Sequence, residues 1–197
     1  MKKDYTFIVI DTETTGLSFI KNDIIELSLI KLSSDEQKTW LIKPTNFDTI
    51  DVDSLRVNGH KLEDITWQTQ YGRDNYMEAN KAIVEIENWV AESNCPAENT
   101  CLIGHNINFD KNMMEQMWHK CNAFDSFPFG RRVMDTMQIE LFLNYVQDDF
   151  ADSYSLSALS KKYGVKNEKS HTAASDTKCT AEVFIKLVDY FKKVLNK

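Results

Sequence analysis

Ile8-Val9-Ile10-Asp11-Thr12-Glu13-Thr14-Thr15-Gly16-Leu17 begins as a β-branched run and changes character at its end. Residues two apart in a strand point to one face, so Asp11 and Glu13 project together. Two neighbouring carboxylates repel, and each raises the pKa of the other. A cation between them removes that cost, and hard oxygen ligands suit Mg²⁺ or Mn²⁺. Gly16 permits a tight turn that brings backbone close to a ligand. A bare Asp-x-Glu pair is also common at solvated strand ends, so the rest of the chain has to decide.

Outward from this segment, residues 5–10 read as a buried strand, 24–30 as a second, and 38–42 as a third stopped by Pro44. Spacing this tight predicts antiparallel strands joined by hairpins. Residues 45–70 mix polar and apolar types without a clear period, and a turn is expected around Gly72. Met77, Ala79, Ile83, Val84, Ile86 and Val90 fall at helical spacing and predict a helix over 75–92. Residues 101–103 read as a strand ended by Gly104, 107–120 as a helix, and 133–134 as a last strand. Helices follow around 136–146 and 156–163, and a closing helix over 173–194 aligns Val183, Phe184, Leu187, Val188 and Phe191. Strands first, then helices alternating with strands, predict an α/β or α+β class with one mixed sheet.

The chain of 197 residues is 42% hydrophobic and 27% charged, enough for one ordinary domain with a core, expected to span 1–197. Its 23 basic and 30 acidic residues give a net charge of −7, which excludes a protein that coats duplex nucleic acid non-specifically. A local nucleic-acid site stays open, particularly with bound cations. Cys95, Cys101, Cys121 and Cys179 form no CxxC pair and read as free thiols in a reducing compartment. No secretory signal or membrane span is expected, so the location expected is the cytoplasm.

Two further segments carry acids. Gly104-His105-Asn106-Ile107-Asn108-Phe109-Asp110 places Asp110 one turn into a helix after a Gly-ended strand. His171-Thr172-Ala173-Ala174-Ser175-Asp176 opens the last helix, and a His171 on the preceding loop can swing over the pocket that Asp176 faces. Each alone reads as a helix-dipole acid or a loop histidine. In this order, together with Asp11-Thr12-Glu13-Thr14-Thr15-Gly16-Leu17, they resemble the three motifs of the DEDDh family of 3′→5′ exonucleases. That family includes the proofreading ε subunit of bacterial DNA polymerase III, RNase T and oligoribonuclease. Weaker similarity to the ε-like branch runs through residues 22–27, 57–59 and 155–165. Thr172 stands where the related DEDDy branch has Tyr, which indicates the His form.

The resemblance implies an RNase H-like α/β fold, a five-stranded mixed sheet flanked by helices. It implies hydrolysis of phosphodiester bonds from 3′ ends, with two Mg²⁺ ions about 3.5–4 Å apart clamping the scissile phosphate and Mn²⁺ able to substitute. Asp11, Glu13 and Asp176 would bind the first ion, Asp11 would bridge to the second, and Asp110 would hold that one. His171 would be the general base, a task that suits a side chain with an ordinary pKa of about 6.5. The backbone near Thr14 would receive the 3′-hydroxyl, Leu17 would wedge between the last bases, and Asn58 stands where ε has a substrate-contacting His. Phe109 neighbours Asp110 and reads as packing ahead of stacking.

The substrate this favours is a single-stranded DNA 3′ end, with nucleoside 5′-monophosphates released and a polymerase or other replication or repair protein as a candidate partner. No membrane partner is expected, and the oligomeric state stays open. The other readings are an exoribonuclease acting on short RNA or RNA 3′ tails, and an inactive nucleic-acid-binding adaptor. Single strands in a narrow pocket need few phosphate contacts, which reconciles them with an acidic chain. Arg131, Arg132, Lys161, Lys162, Lys166 and Lys169 are candidates for guiding the strand, although solvated surface suits most of them. Asp135 reads as a cap for the next helix. Gln138-Ile139-Glu140-Leu141-Phe142 resembles a sliding-clamp-binding peptide but falls in an expected helix, where core packing is the reading. His60, His105 and His119 show no ligand spacing. The chain ends soon after its last expected helix, so no polymerase-tethering tail of the ε kind is expected.

Overall fold

The computed structural model describes residues 4–167 and 170–195. Five strands, β1 (Thr6–Thr14), β2 (Ile24–Lys31), β3 (Glu36–Leu41), β4 (Thr100–Gly104) and β5 (Val133–Asp135), form one sheet in the order β3-β2-β1-β4-β5. The first three pair antiparallel as hairpins, whereas β4 runs parallel to β1 and β5 parallel to β4. The mixed sheet flanked by helices agrees with the sequence reading. β1 runs four residues further than expected, so both its acids lie within the strand and not beyond it.

The chain between β3 and β4 is helical. It holds α1 (Val52–Asn58), α2 (Leu62–Ile65), α3 (Gln70–Asn75) and α4 (Ala79–Ala91). Then α5 (Ile107–Lys120) follows β4, and α6 (Thr136–Gln147), α7 (Leu156–Tyr163) and α8 (Ala173–Leu195) follow β5. Gly72, where a turn was expected, lies instead inside α3, and glycine is required there by close packing: a Cβ would come within 2.1 Å of the Asp64 carbonyl oxygen. The helix α4 starts later than its pattern suggested: Met77 forms a bridge to Ile42 at the sheet edge, and Val84 is exposed.

Alternation along β1 assigns its two faces. Ile8 and Ile10 pack with α4 and α5 through Ile83, Ile86, Met113, Met114 and Met117. Val9, with Ile30 and Ile103, packs instead on Ala181 and Phe184 of α8. By the same period of two, Thr12 continues the α5 face while Asp11 and Glu13 continue the α8 face. The sheet therefore delivers its acids toward α8, and helix-borne groups can approach from either side.

Among the described residues no helix is long and apolar enough to cross a membrane. Cys101 and Cys179 are buried free thiols, and Cys95 and Cys121 are half-buried free thiols. Trp40 and Trp118 are fully buried, as expected of core residues and not of a stacking platform.

Candidate active site

Asp11 and Glu13 leave the same face of β1, and the first turn of α8 brings Asp176 against them. One carboxylate oxygen from each lies within 4.8 Å of the others. All three are half-buried. The pairing of β1 with β2 shifts after Glu13, with Ile25 bulged out between Glu26 and Ile24, where the strand turns away into the next loop.

Asp176 is held on both oxygens. The Asn167 amide donates to Oδ1 at 2.6 Å, and the backbone N–H of His171 donates to Oδ2 at 3.0 Å. Ser175 in turn donates to Asn167 Oδ1 at 2.8 Å. His171 is exposed and takes a left-handed backbone (φ 69°), a conformation that costs a non-glycine residue energy and persists only where surrounding bonds hold it. The structure thus puts the His171 backbone on the cluster, on the loop five residues before Asp176.

Asp110 reaches the site from the other side of the sheet. It is buried on α5, and Thr12, on the α5 face of β1, donates to its Oδ1 at 2.8 Å. The start of α5 is fixed by Asp135, whose carboxylate accepts N–H groups from Asn106 at 3.1 Å and Ile107 at 3.2 Å. The same carboxylate caps α6 through Met137 N–H at 2.9 Å. Capping α6 was the expectation for Asp135; clamping α5 as well was not visible in sequence.

The electrostatics are lopsided. Burial pushes the Asp11 carboxyl well above its ordinary range, and Asp110, Asp176, Glu13 and Glu26 push it further. Glu13 is raised to about 8, first by burial and then by Asp176, Glu26 and Asp110. Asp110 is raised to about 7 by burial, against the opposing bond from Thr12. Among the described residues, every charge that shifts Asp11 and Glu13 is negative. A set of hard carboxylate oxygens in that state fits divalent cations.

The loop after β1 carries the other candidates. Thr14 is buried; its hydroxyl donates to the Gly16 carbonyl at 2.7 Å, and its own carbonyl accepts from Asn58 Nδ2 at 3.1 Å. Asn58 therefore braces Thr14. Gly16 is needed for a close approach to protein and not first to a ligand: a Cβ there would lie 2.6 Å from the Asn22 side chain. That side chain tethers the loop by donating to the Thr15 and Thr49 carbonyls. Leu17 stands at the tip, 82% exposed. Phe109 packs against the core cluster, as expected.

Several expectations need correction. Arg131 and Arg132 lie before β5, at the end of the strand opposite Asp135, so the fold carries them away from the acids; Arg132 donates to the Tyr5 hydroxyl. Lys162 is bound to Glu140 at 2.6 Å. Lys169 lies outside the described residues. In the stretch 138–142, Glu140 is fully buried and Ile139 half-buried, but Leu141 and Phe142 are exposed, so only half of it packs inward. His60, which no spacing had singled out, is bonded to Glu26 and Tyr76 beside the site.

The family model described as Exonuclease, of the RNase T type, matches residues 8–184. The chain belongs to the exonuclease family. DNA polymerase III PolC-type of Thermotoga maritima is 29% identical over 195 residues, which is 97% of this chain. This chain spans only 12% of that relative's length. Escherichia coli exonuclease I in complex with a dT13 oligonucleotide superposes with a TM-score of 0.76 at 18% identity, over 98% of this chain and 42% of that one. The zinc-ion-bound form of the same enzyme with single-stranded DNA gives 0.75 at 17% identity, over 97% and 42%. These structures share the fold, and the family is the DEDD type of 3′→5′ exonuclease, a class of hydrolase that depends on divalent metal.

Proposed function

We propose that this chain hydrolyses phosphodiester bonds from the 3′ end of DNA, preferring single strands and releasing nucleoside 5′-monophosphates. The observation that carries the proposal is the convergence of Asp11, Glu13 and Asp176 within 4.8 Å, with Asp110 arriving across β1 and no positive charge among them. DNA is favoured because the PolC-type relatives are DNA polymerases in which this length of chain is a part. A polymerase or other replication protein in the cytoplasm is the partner and setting that this likeness suggests.

Asp11, Glu13, Asp110 and Asp176 would hold two divalent cations, Mg²⁺ or Mn²⁺, whose bound charge stabilises the phosphate and the departing 3′ oxygen. The remaining work falls to the chain. Asn167 and the His171 backbone keep Asp176 pointed at Glu13 and Asp11. His171, on its exposed loop, accepts the proton of the attacking water and passes it to solvent. Thr14, fixed by Asn58, presents backbone to the terminal 3′-hydroxyl, and Leu17 is free to insert between the last two bases. Asp135 holds α5 in place so that Asp110 meets Thr12.

The test is a gel of 5′-labelled single-stranded DNA and RNA of one sequence, incubated with Mg²⁺ or Mn²⁺. A ladder shortening by single nucleotides from the 3′ end, faster on DNA and stopped by EDTA, is expected. His171→Ala should slow it by about 10²-fold or more near neutral pH. A His171→Ala protein with full rate would remove the general base from this account, and intact strands under both metals would remove the activity.

A further inference from the structure

Glu26 lies directly opposite Glu13 in the β1–β2 ladder, and like charges so placed destabilise a sheet. Its side chain is only 8% exposed. It has partners: Oε2 lies 3.0 Å from His60 Nε2, and Oε1 accepts the Ala174 N–H at 3.3 Å. On the far side of the ring, His60 Nδ1 lies 2.5 Å from the Tyr76 hydroxyl. A carboxylate only accepts, so the hydrogen between them is carried by Nε2, and Nδ1 pairs with the Tyr76 hydroxyl. Burial raises the Tyr76 pKa, which keeps that hydroxyl protonated.

Ala174 is in the first turn of α8, where N–H groups lack helical partners and an acceptor must come from elsewhere. It is gripped twice from the sheet. Glu26 of β2 takes its N–H, and Gln37 of β3 donates to its carbonyl at 2.7 Å. Two residues further along α8 is Asp176, and three residues before Ala174 is His171. His60 is itself placed by Asn58, whose Oδ1 accepts the His60 N–H while Nδ2 holds Thr14. The network forms one wall of an open cleft of about 640 Å³ that Thr172 also lines.

We propose that Glu26, locked by His60 and Tyr76, is a positioning residue that seats the start of α8, and so fixes His171 and Asp176 relative to the acids of β1. This rests on the nuclease reading of the site. The reach is short but the consequence is large, since a displacement of about 1 Å in a catalytic constellation can cost about 10²-fold in rate. His60 and Tyr76 come from the stretch between β3 and α4, which thereby serves the reaction without touching the reacting atoms.

The experiment compares wild type, His60→Ala, His60→Gln and Tyr76→Phe on 5′-labelled single-stranded DNA with Mn²⁺, together with amide hydrogen exchange over residues 170–178. His60→Ala should lower kcat about 10- to 30-fold with KM within about twofold, and exchange over 170–178 should quicken. His60→Gln, whose amide can still donate to Glu26, should recover most of both. Tyr76→Phe should lose about threefold, and these two milder variants carry the test if His60→Ala does not fold. Unchanged exchange in active, folded variants would overturn the inference, as would a raised KM with kcat kept, which would make His60 a substrate contact. Wild type that cleaves nothing under Mg²⁺ or Mn²⁺ would overturn the nuclease reading and this inference with it, a result distinct from an active wild type indifferent to His60.

Discussion

Two buried acidic regions in this molecule are solved in opposite ways. Glu140, fully buried between α6 and α7, accepts from Lys162 Nζ at 2.6 Å, Asn144 Nδ2 at 2.7 Å and the Tyr163 hydroxyl at 2.5 Å. Burial alone would raise its pKa, but those donors bring it below the ordinary value. At the end of β1 the fold has gathered Asp11, Glu13, Asp110 and Asp176, and among the described residues the first two are shifted only by further acids. The chain can satisfy a buried carboxylate from its own residues, and at 140 it does. Where it leaves carboxylates unmatched, a proton or a cation from outside has to offset the repulsion.

The sharpest way to break that contrast is to neutralise one member of each region. Asp11→Asn should lower single-turnover cleavage at least about 10³-fold, because the group common to the whole acidic set is gone. The same change should raise the melting temperature in EDTA at alkaline pH, where the acids ionise, since it removes one repelling charge. An Asp11→Asn protein that cleaves within tenfold of wild type would end the claim that the acids are the reaction centre. Glu140→Ala should do the reverse. It removes the acceptor shared by Lys162, Tyr163 and Asn144 and should cost about 2 kcal/mol in a denaturant melt, with cleavage by the folded protein within about twofold of wild type. A stability loss below about 0.5 kcal/mol would show that the Glu140 network holds nothing together.

The contrast also marks what could be read from sequence. Asp11 and Glu13 were legible because a strand has a period of two, and α5 and α7 because each presents full turns with recognisable ends, Gly164 closing α7 in a left-handed cap. The segment from Val52 to Asn75 was not, because its helices are 7, 4 and 6 residues long, too short to display a period. They hold by local caps such as Asp51 and Thr69 and by packing of Leu55, Ile65 and Tyr76 on Ile25. Glu26 with His60 and Thr12 with Asp110 are pairs 34 and 98 residues apart, and nothing local announces either. Sequence order gave the members of the acidic set, while the fact that Asp110 enters from the opposite face of the sheet required the fold.

A pH series sharpens the same comparison at smaller amplitude. The folded-state pKa of Glu13, about 8, and of Asp110, about 7, both lie above their unfolded values near 4. Between those limits the folded state binds more protons than the unfolded state, so this contribution is full below about pH 4 and is lost as pH rises through 7 and 8. In EDTA, the wild-type melting temperature should therefore fall between pH 7 and pH 8, by an amount equivalent to about 1 kcal/mol. Mn²⁺ should oppose the fall, because it favours the ionised acids and binds only the folded state. Asp11→Asn should flatten both responses, and a wild-type melting temperature that rises from pH 6 to pH 8 in EDTA would contradict the raised values.

The smallest effect isolates Thr12, which holds Asp110 from the α5 face of β1. Its hydroxyl is the side-chain donor that opposes burial at Asp110. Thr12→Val keeps the branched shape and removes that donor, at a cost of about 1 kcal/mol. Asp110 should then hold its proton to higher pH, so fewer molecules near neutrality carry the full ionised set. At limiting Mn²⁺ the rate at pH 7 should fall about fivefold, and the deficit should shrink toward pH 9 as Asp110 ionises in both proteins. A deficit that stays constant with pH would mean that Thr12 supports the position of Asp110 and not its charge, placing it with Asp135 as a purely geometric constraint on α5.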